Sequence, residues 1–220
     1  GVQIEYRNRR YLISGDVLFT IQRTLDGAQL PQLNVDTLIM ETTRGATERD
    51  ADGNRESEVD ALLEMIDDVL ARGGSCLLPV FALGRLQEIM KILYEARRDR
   101  RLRDVPIFST GLGISLVDYF DAITRKTGLV KFQRKIMKEM RVTQPRWEFK
   151  PGKDVPKQGL YVLSSGMLVA NTPSYKAAAA LIENPKNAIA FVGYCDPDTP
   201  GGQLLSRQPG DLFEFDALDF

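Results

Sequence analysis

The chain has 220 residues, with 29 Lys plus Arg against 30 Asp plus Glu and a formal charge of −1. At 43% hydrophobic and 27% charged residues, it has enough apolar material for a buried core and lacks the composition of a disordered chain. It contains no histidine, which excludes a Ser-His-Asp triad, a Cys-His pair and a histidine-built zinc site made from these residues alone.

That length suits one large domain or parts of two. No apolar run approaches the roughly 18 residues of a membrane span, and no basic-then-apolar leader opens the chain. Two cysteines, Cys76 and Cys195, do not make a disulfide framework. They point to a reducing compartment, so a cytoplasmic location is expected.

In chain order, Val2–Tyr6 and Arg10–Ile13 read as two strands of a hairpin turning at Asn8-Arg9. Thr37–Met40 is an apolar run of strand length, expected to be buried. Val59, Leu62, Leu63, Ile66, Val69 and Leu70 then recur at helical spacing, and Gly73-Gly74 stop that helix. Cys76–Phe81 reads as a buried strand. Leu86, Ile89, Met90 and Leu93 mark one face of the next helix. Val105–Phe108 is a strand, Ile114–Ile123 a helix and Leu160–Leu163 a strand. Thr172 stands as N-cap and Pro173 at the first position of a helix running through Ala177–Ala180. Ala188–Val192 is the last clear strand, and Ser206–Phe220 reads as a turn followed by a short strand. Apolar strands alternating with helices predict an α/β fold with a mainly parallel sheet covered on both faces.

Charge is unevenly spread. Ala46–Leu70 holds nine acids against Arg49 and Arg55, whereas Asp121–Lys153 holds ten Lys or Arg against Asp121, Glu139 and Glu148. The basic segment also carries Phe132, Trp147 and Phe149. It reads either as a single-stranded nucleic acid surface with stacking rings or as a solvated face over buried aromatics.

Several residues could carry chemistry. Gly15-Asp16 follows a strand, where an acid serves as a metal ligand or a turn residue. Glu41 closes the strand ending at Met40, at the end where open α/β sheets place ligands. Leu78-Pro79-Val80-Phe81-Ala82-Leu83-Gly84-Arg85 is a strand leading into a helix. A cation in that first turn opposes the helix dipole unless it meets an anion, and phosphate is the natural one. Ser164-Ser165-Gly166-Met167 offers hydroxyls and N–H groups on a glycine turn, either as an anion nest or as a plain strand-to-helix turn. Gly111-Leu112-Gly113 lacks the third glycine of a dinucleotide fingerprint. Asp196 and Asp198, after Gly193-Tyr194-Cys195, fit a metal or a Pro/Gly loop equally well.

Taken in order, Gly15-Asp16, the strand ending in Glu41, the Leu78–Arg85 string, Ser165-Gly166-Met167 and Gly193-Tyr194-Cys195 resemble one family. It is that of the metallo-β-lactamase nucleases with an inserted β-CASP domain, which includes the mRNA 3′-end cleavage endonuclease subunit, its archaeal and bacterial homologues, and ribonuclease J. The resemblance runs from the first residues to about Leu205.

The resemblance implies a parallel-rich β-CASP sheet flanked by helices, inserted in a four-layer αββα metallo-β-lactamase fold of which only part is present. Residues 1–44 would be the lactamase portion, 45–195 the β-CASP domain and 196–220 the return. The family's His-x-His-x-Asp-His signature would lie upstream, so the chain is expected to be a piece of a longer protein. Asp16 matches the carboxylate that bridges two zinc ions. Glu41 matches the acidic residue that orients a metal-site histidine and is expected to be catalytic. Arg85, Ser164, Ser165, Gly166 and Met167 lie where the family lines its cleft and contacts phosphate. A histidine of the 3′-end processing members falls near Gln203 here, and Arg44-Gly45 depart from the family's wording after the acid. The implied function is zinc-dependent hydrolysis of single-stranded RNA, by an endonuclease or exonuclease, with the isolated chain inactive for want of histidine. The alternative is a non-catalytic homologue that binds RNA or a partner nuclease. No membrane partner is expected, and homodimerisation is left open.

Overall fold

Two sheets follow from two kinds of strand. The computed structural model describes residues 1–30, 32, 34–43, 45–46, 54–208 and 210–215. At the N-terminus, β1 (Val2–Tyr6) and β2 (Arg9–Ile13) pair antiparallel, with Tyr6 opposite Arg9. The turn is Arg7-Asn8, both at positive φ, one residue earlier than expected. β3 (Thr37–Ile39) joins β2 in parallel, with Ile39 level with Ile13.

Helix α1 (Arg55–Ala71) opens a second unit. It is capped by Asn54, whose Oδ1 accepts the Ser57 N–H at 2.9 Å, and it stops at Gly73, whose φ of 82° suits a residue without a β-carbon. There follow β4 (Cys76–Pro79), α2 (Arg85–Arg98), β5 (Ile107–Phe108), α3 (Leu112–Ser115), α4 (Val117–Thr127) and α5 (Lys135–Glu139). After them come β6 (Leu160–Leu163), α6 (Pro173–Leu181), β7 (Ala188–Ile189) and α7 (Pro200–Leu205).

The four strands form an all-parallel sheet in the order β5-β6-β4-β7. Its side chains alternate between two cores, as a period of two dictates. Cys76, Leu78, Leu160 and Val162 pack with α1, α2, α4 and α5, through Ile66, Met90, Phe120 and Ile136 among others. Leu77, Phe108, Tyr161 and Leu163 pack with α6 through Tyr175, Ala177, Ala178 and Leu181. Burying each large apolar side chain contributes about 1.5–3 kcal/mol. The α/β fold with a parallel-rich sheet between helices is therefore as expected. Among the described residues no helix is long and apolar enough to cross a membrane.

Four expectations change. Thr37–Met40 is not buried: Leu38, Ile39 and Met40 are 48%, 55% and 42% exposed, because among the described residues neither core extends over the faces of this sheet. The helix expected at Ile114–Ile123 starts at Leu112 and divides at Leu116 into α3 and α4. Only Ala188–Ile189 of the last strand pairs as strand, with one further bond from the Ala190 N–H to the Leu77 carbonyl. No strand forms in the described part of the tail, where Phe215 instead packs edge-on against Tyr175; residues 216–220 of that expected strand lie outside the described residues, as does Arg44.

One carboxylate ties the N-terminal segment to the helices. Glu88 on α2 is fully buried. Its Oε1 accepts the Arg23 N–H at 2.7 Å and Arg55 Nη2 at 2.6 Å; its Oε2 accepts the Thr24 N–H at 2.8 Å and the Thr24 hydroxyl at 2.6 Å. Lys91, one turn along α2, donates to the carbonyls of Arg23 and Lys131 at 2.7 and 2.6 Å. Burial by itself pushes the Glu88 carboxyl up. The Thr24 hydroxyl, the Arg23 N–H, Arg55 and the Thr24 N–H outweigh that, so it sits below the ordinary carboxylate range.

Glu88→Ala leaves Arg55 and two N–H groups without their acceptor and should cost about 3–5 kcal/mol in urea unfolding, the range for breaking a buried pair. Because the folded-state pKa is depressed, the stability due to ionisation is present above the unfolded pKa of about 4.3 and lost as pH falls through the folded value. The stability gap between wild type and Glu88→Gln should accordingly be widest near neutrality and close in acid. A gap that is constant with pH would show that folding does not shift the Glu88 pKa, and one that shrinks towards neutrality would show that Glu88 is neutral in the folded state.

Candidate functional site

Parallel pairing brings the C-terminal ends of β4, β6 and β7 to one edge of the sheet, and the loops leaving them converge there. After β4 the chain runs through Phe81 to Gly84, the N-cap of α2, which makes Arg85 the first helical residue, in the place read from the sequence. After β6 comes the turn Ser164–Met167, in which the Ser164–Ser165 peptide is cis. After β7 come Gly193, Tyr194 and Cys195.

Phe81 is wedged between the other two loops. A β-carbon on Gly166 would lie 2.8 Å from Phe81 Cδ2 and 2.9 Å from its backbone nitrogen, so only glycine permits this approach. A β-carbon on Gly193 would lie 3.5 Å from the Phe81 ring and 3.9 Å from Arg85 Nε. The Arg85 side chain thus reaches from the β4 loop to the β7 loop.

The turn between β6 and α6 is polarised. The Ser164 carbonyl accepts the Ser174 N–H at 3.0 Å, and the Ser165 carbonyl accepts the Ser174 hydroxyl at 2.6 Å. The Gly166 carbonyl accepts Cys195 Sγ–H at 3.6 Å, and the Met167 carbonyl accepts the Gly201 N–H at 2.9 Å. Met167 Sδ takes the Asp196 N–H at 3.5 Å. All four carbonyls are occupied, whereas the N–H groups of Ser165, Gly166 and Met167 donate to no partner among the described residues. Ser165 Oγ accepts the Val169 N–H at 3.0 Å, which leaves its own proton to donate. The turn is thus left with unused donors and no free carbonyl acceptor among the described residues. Burial raises the Cys195 thiol above its ordinary value, so it stays protonated as the donor.

The two acids read as metal-site residues lie at the other sheet. The level pairing of Ile13 with Ile39 sets the loops after β2 and β3 side by side. The Ser14 N–H donates to the Ile39 carbonyl at 2.9 Å, and the Glu41 N–H to Ser14 Oγ at 3.3 Å. The Glu41 carboxylate accepts the Thr43 N–H at 2.9 Å, and that backbone group, the Thr43 hydroxyl and the Val17 N–H hold its pKa below the ordinary range. Glu41 is therefore ionised and tied to the loop carrying Asp16, which is exposed. Among the described residues no group of three or more Cys, Asp or Glu is placed to hold a metal ion. A catalytic zinc takes about three protein ligands, so these residues do not hold one by themselves.

The remaining candidates resolve into structure. The Asp196 carboxylate accepts the Asp198 N–H at 3.0 Å, and Thr199 caps α7 by accepting the Gly202 N–H at 3.2 Å. These residues start a helix, and the missed signal was Thr199-Pro200, the same dipeptide that opens α6. Gln203 is exposed on α7. In the basic segment, all ten Lys and Arg are exposed, but Phe132 and Phe149 are buried and Trp147 packs edge-on against Phe108. The rings build the core and are not offered to bases.

Residues 86–204, over half of the chain, match the Beta-Casp domain family. The chain is 32% identical over 205 residues to a transcription termination factor FttA from Pyrococcus horikoshii, which covers 88% of this chain and 31% of that protein. It is 30% identical over 207 residues to an RNase J-like protein from Methanocaldococcus jannaschii, covering 93% and 48%. To Integrator complex subunit 11 of Danio rerio it is 33% identical over 216 residues, covering 94% and 34%. The chain thus spans about a third to a half of the length of these relatives. With its parallel sheet and converging loops, and with the family match along its second half, the chain belongs to the β-CASP family that its motifs resemble.

Proposed function

We propose that the protein is an RNA-cleaving phosphodiesterase of the zinc-dependent type, and that this chain supplies the part that clamps the RNA backbone. The observation that carries this reading is the polarised turn. Three N–H groups without acceptors among the described residues and the Ser165 hydroxyl lie on the turn after β6, and Arg85 lies on the neighbouring loop with its Nε beside Gly193. A phosphate offers acceptor oxygens to the N–H groups and the hydroxyl, and a negative charge suited to an arginine at those strand ends. The RNase J-like relative supports RNA as the strand.

In this reading Asp16 contributes one carboxylate to a zinc site whose other ligands come from outside this chain, and ionised Glu41 braces the adjoining loop. The metal would supply an activated water and stabilise charge on the phosphate. The chain itself binds and orients: Arg85 and the turn fix the phosphate so that cleavage takes place at one bond. By itself it carries no hydrolytic activity. A non-catalytic subunit that binds RNA through the same crevice is the outcome to separate.

Arg85→Ala should weaken binding of a single-stranded RNA by about 1–3 kcal/mol, the range for losing a hydrogen bond to a charged group. The measurement is a fluorescence titration; binding equal to wild type removes Arg85 from the crevice. In the whole protein, Asp16→Ala should lower bound zinc and turnover together while circular dichroism is unchanged. A whole protein that binds RNA yet neither holds zinc nor cleaves is the non-catalytic subunit.

A further inference from the structure

A basic groove lies at α4 and α5. There α4, α5 and the segment between them enclose an open cavity of about 600 Å³. Its charged rim is Arg125, Arg134, Lys135 and Lys138, over an apolar floor of Met137 and Val142. Asp121, buried in the wall, is ion-paired with Arg125 and accepts the Arg134 N–H at 2.9 Å. Arg134 is paired with Asp118 at 3.0 Å. Lys135 and Lys138 are exposed and make no ion pair among the described residues, so the groove has a net positive charge.

This groove leads towards the crevice. Arg134, Met137 and Val142 also line a second cavity of about 250 Å³ that extends to Ser109 and Thr143 at the end of β5. The Ser109 hydroxyl donates to the Val162 carbonyl at 2.7 Å, two residues before Ser164. Gly111, in the same loop, abuts Ser164 Oγ. The basic rim and the phosphate nest are thus joined by one loop.

Resting on the reading of the crevice as an RNA site, we propose that the α4–α5 groove holds the sugar–phosphate backbone of the same RNA strand beyond the crevice. Continuity with the nest favours that strand over an acidic protein segment. Because the segment's aromatic rings lie in the core, the groove recognises charge and not base identity. The strand must therefore be long enough to reach it.

The test compares RNA oligonucleotides of about 4 and about 16 nucleotides, the span of single-strand site sizes, on the full chain at several salt concentrations. Lys135→Ala/Lys138→Ala removes two exposed cations from the groove. Lys157→Ala/Lys186→Ala removes two from the opposite edge of the sheet and serves as the charge control. The groove variant should bind the long RNA about tenfold more weakly, with its salt slope lowered by about 1.4 from two lost phosphate contacts, and bind the short RNA as wild type does. The control variant should differ little on either. Equal losses in both variants would make the attraction diffuse and overturn the proposal. So would equal losses on short and long RNA, or groove-dependent binding of polyglutamate with RNA binding unchanged. Wild-type chain that binds neither RNA would instead overturn the crevice reading on which the groove depends.

Discussion

The Glu88 carboxylate is the constraint on which the arrangement of the parts depends. A buried negative charge is tolerated only where hydrogen bonds and a cation replace the water it has lost. Here the replacements come from two places: Arg23 and Thr24 on the N-terminal segment, and Arg55 at the start of α1. The segment between β2 and β3 is therefore tied to α2 through a polar network, which fixes its direction as well as its position. Around this, Arg23 also reaches Glu95 at 3.0 Å, and Leu25 bridges to Val130. The network sits at the first two turns of α2, the helix whose N-terminus carries Arg85.

The proposed preference of the crevice for an anion rests on how its backbone groups are paired. A turn whose carbonyls were exposed would repel phosphate. In Ser164–Met167 the four carbonyls are taken by donors from three elements, the first two by Ser174 of α6 and the others by the β7 loop and α7. Those elements hold the turn and at the same time cancel its negative ends. The Phe81 ring, pressed against Gly166 and Gly193, shields the site from below. Binding capacity is thus a property of the packing around the turn, not of the two serines alone.

Much of this was legible in the sequence where a local rule dominates. The strand at Leu160–Leu163, the Gly73 stop and the Pro173 start each rest on a single residue's preference, and each is present. Arg85 and the Ser164 turn could be placed because strand ends in parallel sheets face one way. What was not legible depends on partners distant in sequence. The exposure of Leu38 and Ile39 depends on what covers the faces of their sheet, not on the composition of β3. Phe132, Trp147 and Phe149 follow the pattern of a stacking surface as well as that of a core, and only the position of Phe120 against the first, and of Phe108 and Tyr161 against the other two, decides between them. Glu88 lies on a helix face that reads as amphipathic, and nothing near it in sequence announces its partners in the segment around Thr24. The short helix α7 was legible in principle, from Thr199-Pro200, but the glycines and prolines around it read as a loop.

The strand order β5-β6-β4-β7 has a consequence for synthesis of the protein. β4 must wait for β6, about 84 residues later in the chain, before either edge of its ladder is filled, and β7 comes later still. Contacts so distant in sequence form slowly, after the intervening chain has been ordered. Phe81 and Arg85 leave the ribosome long before Gly166 and Gly193, the residues that complete their surroundings. A nascent or truncated chain that ends before Gly193 has the arginine but not the pocket. On the proposed reading, the phosphate site is therefore complete only once β7 and the loop after it have folded.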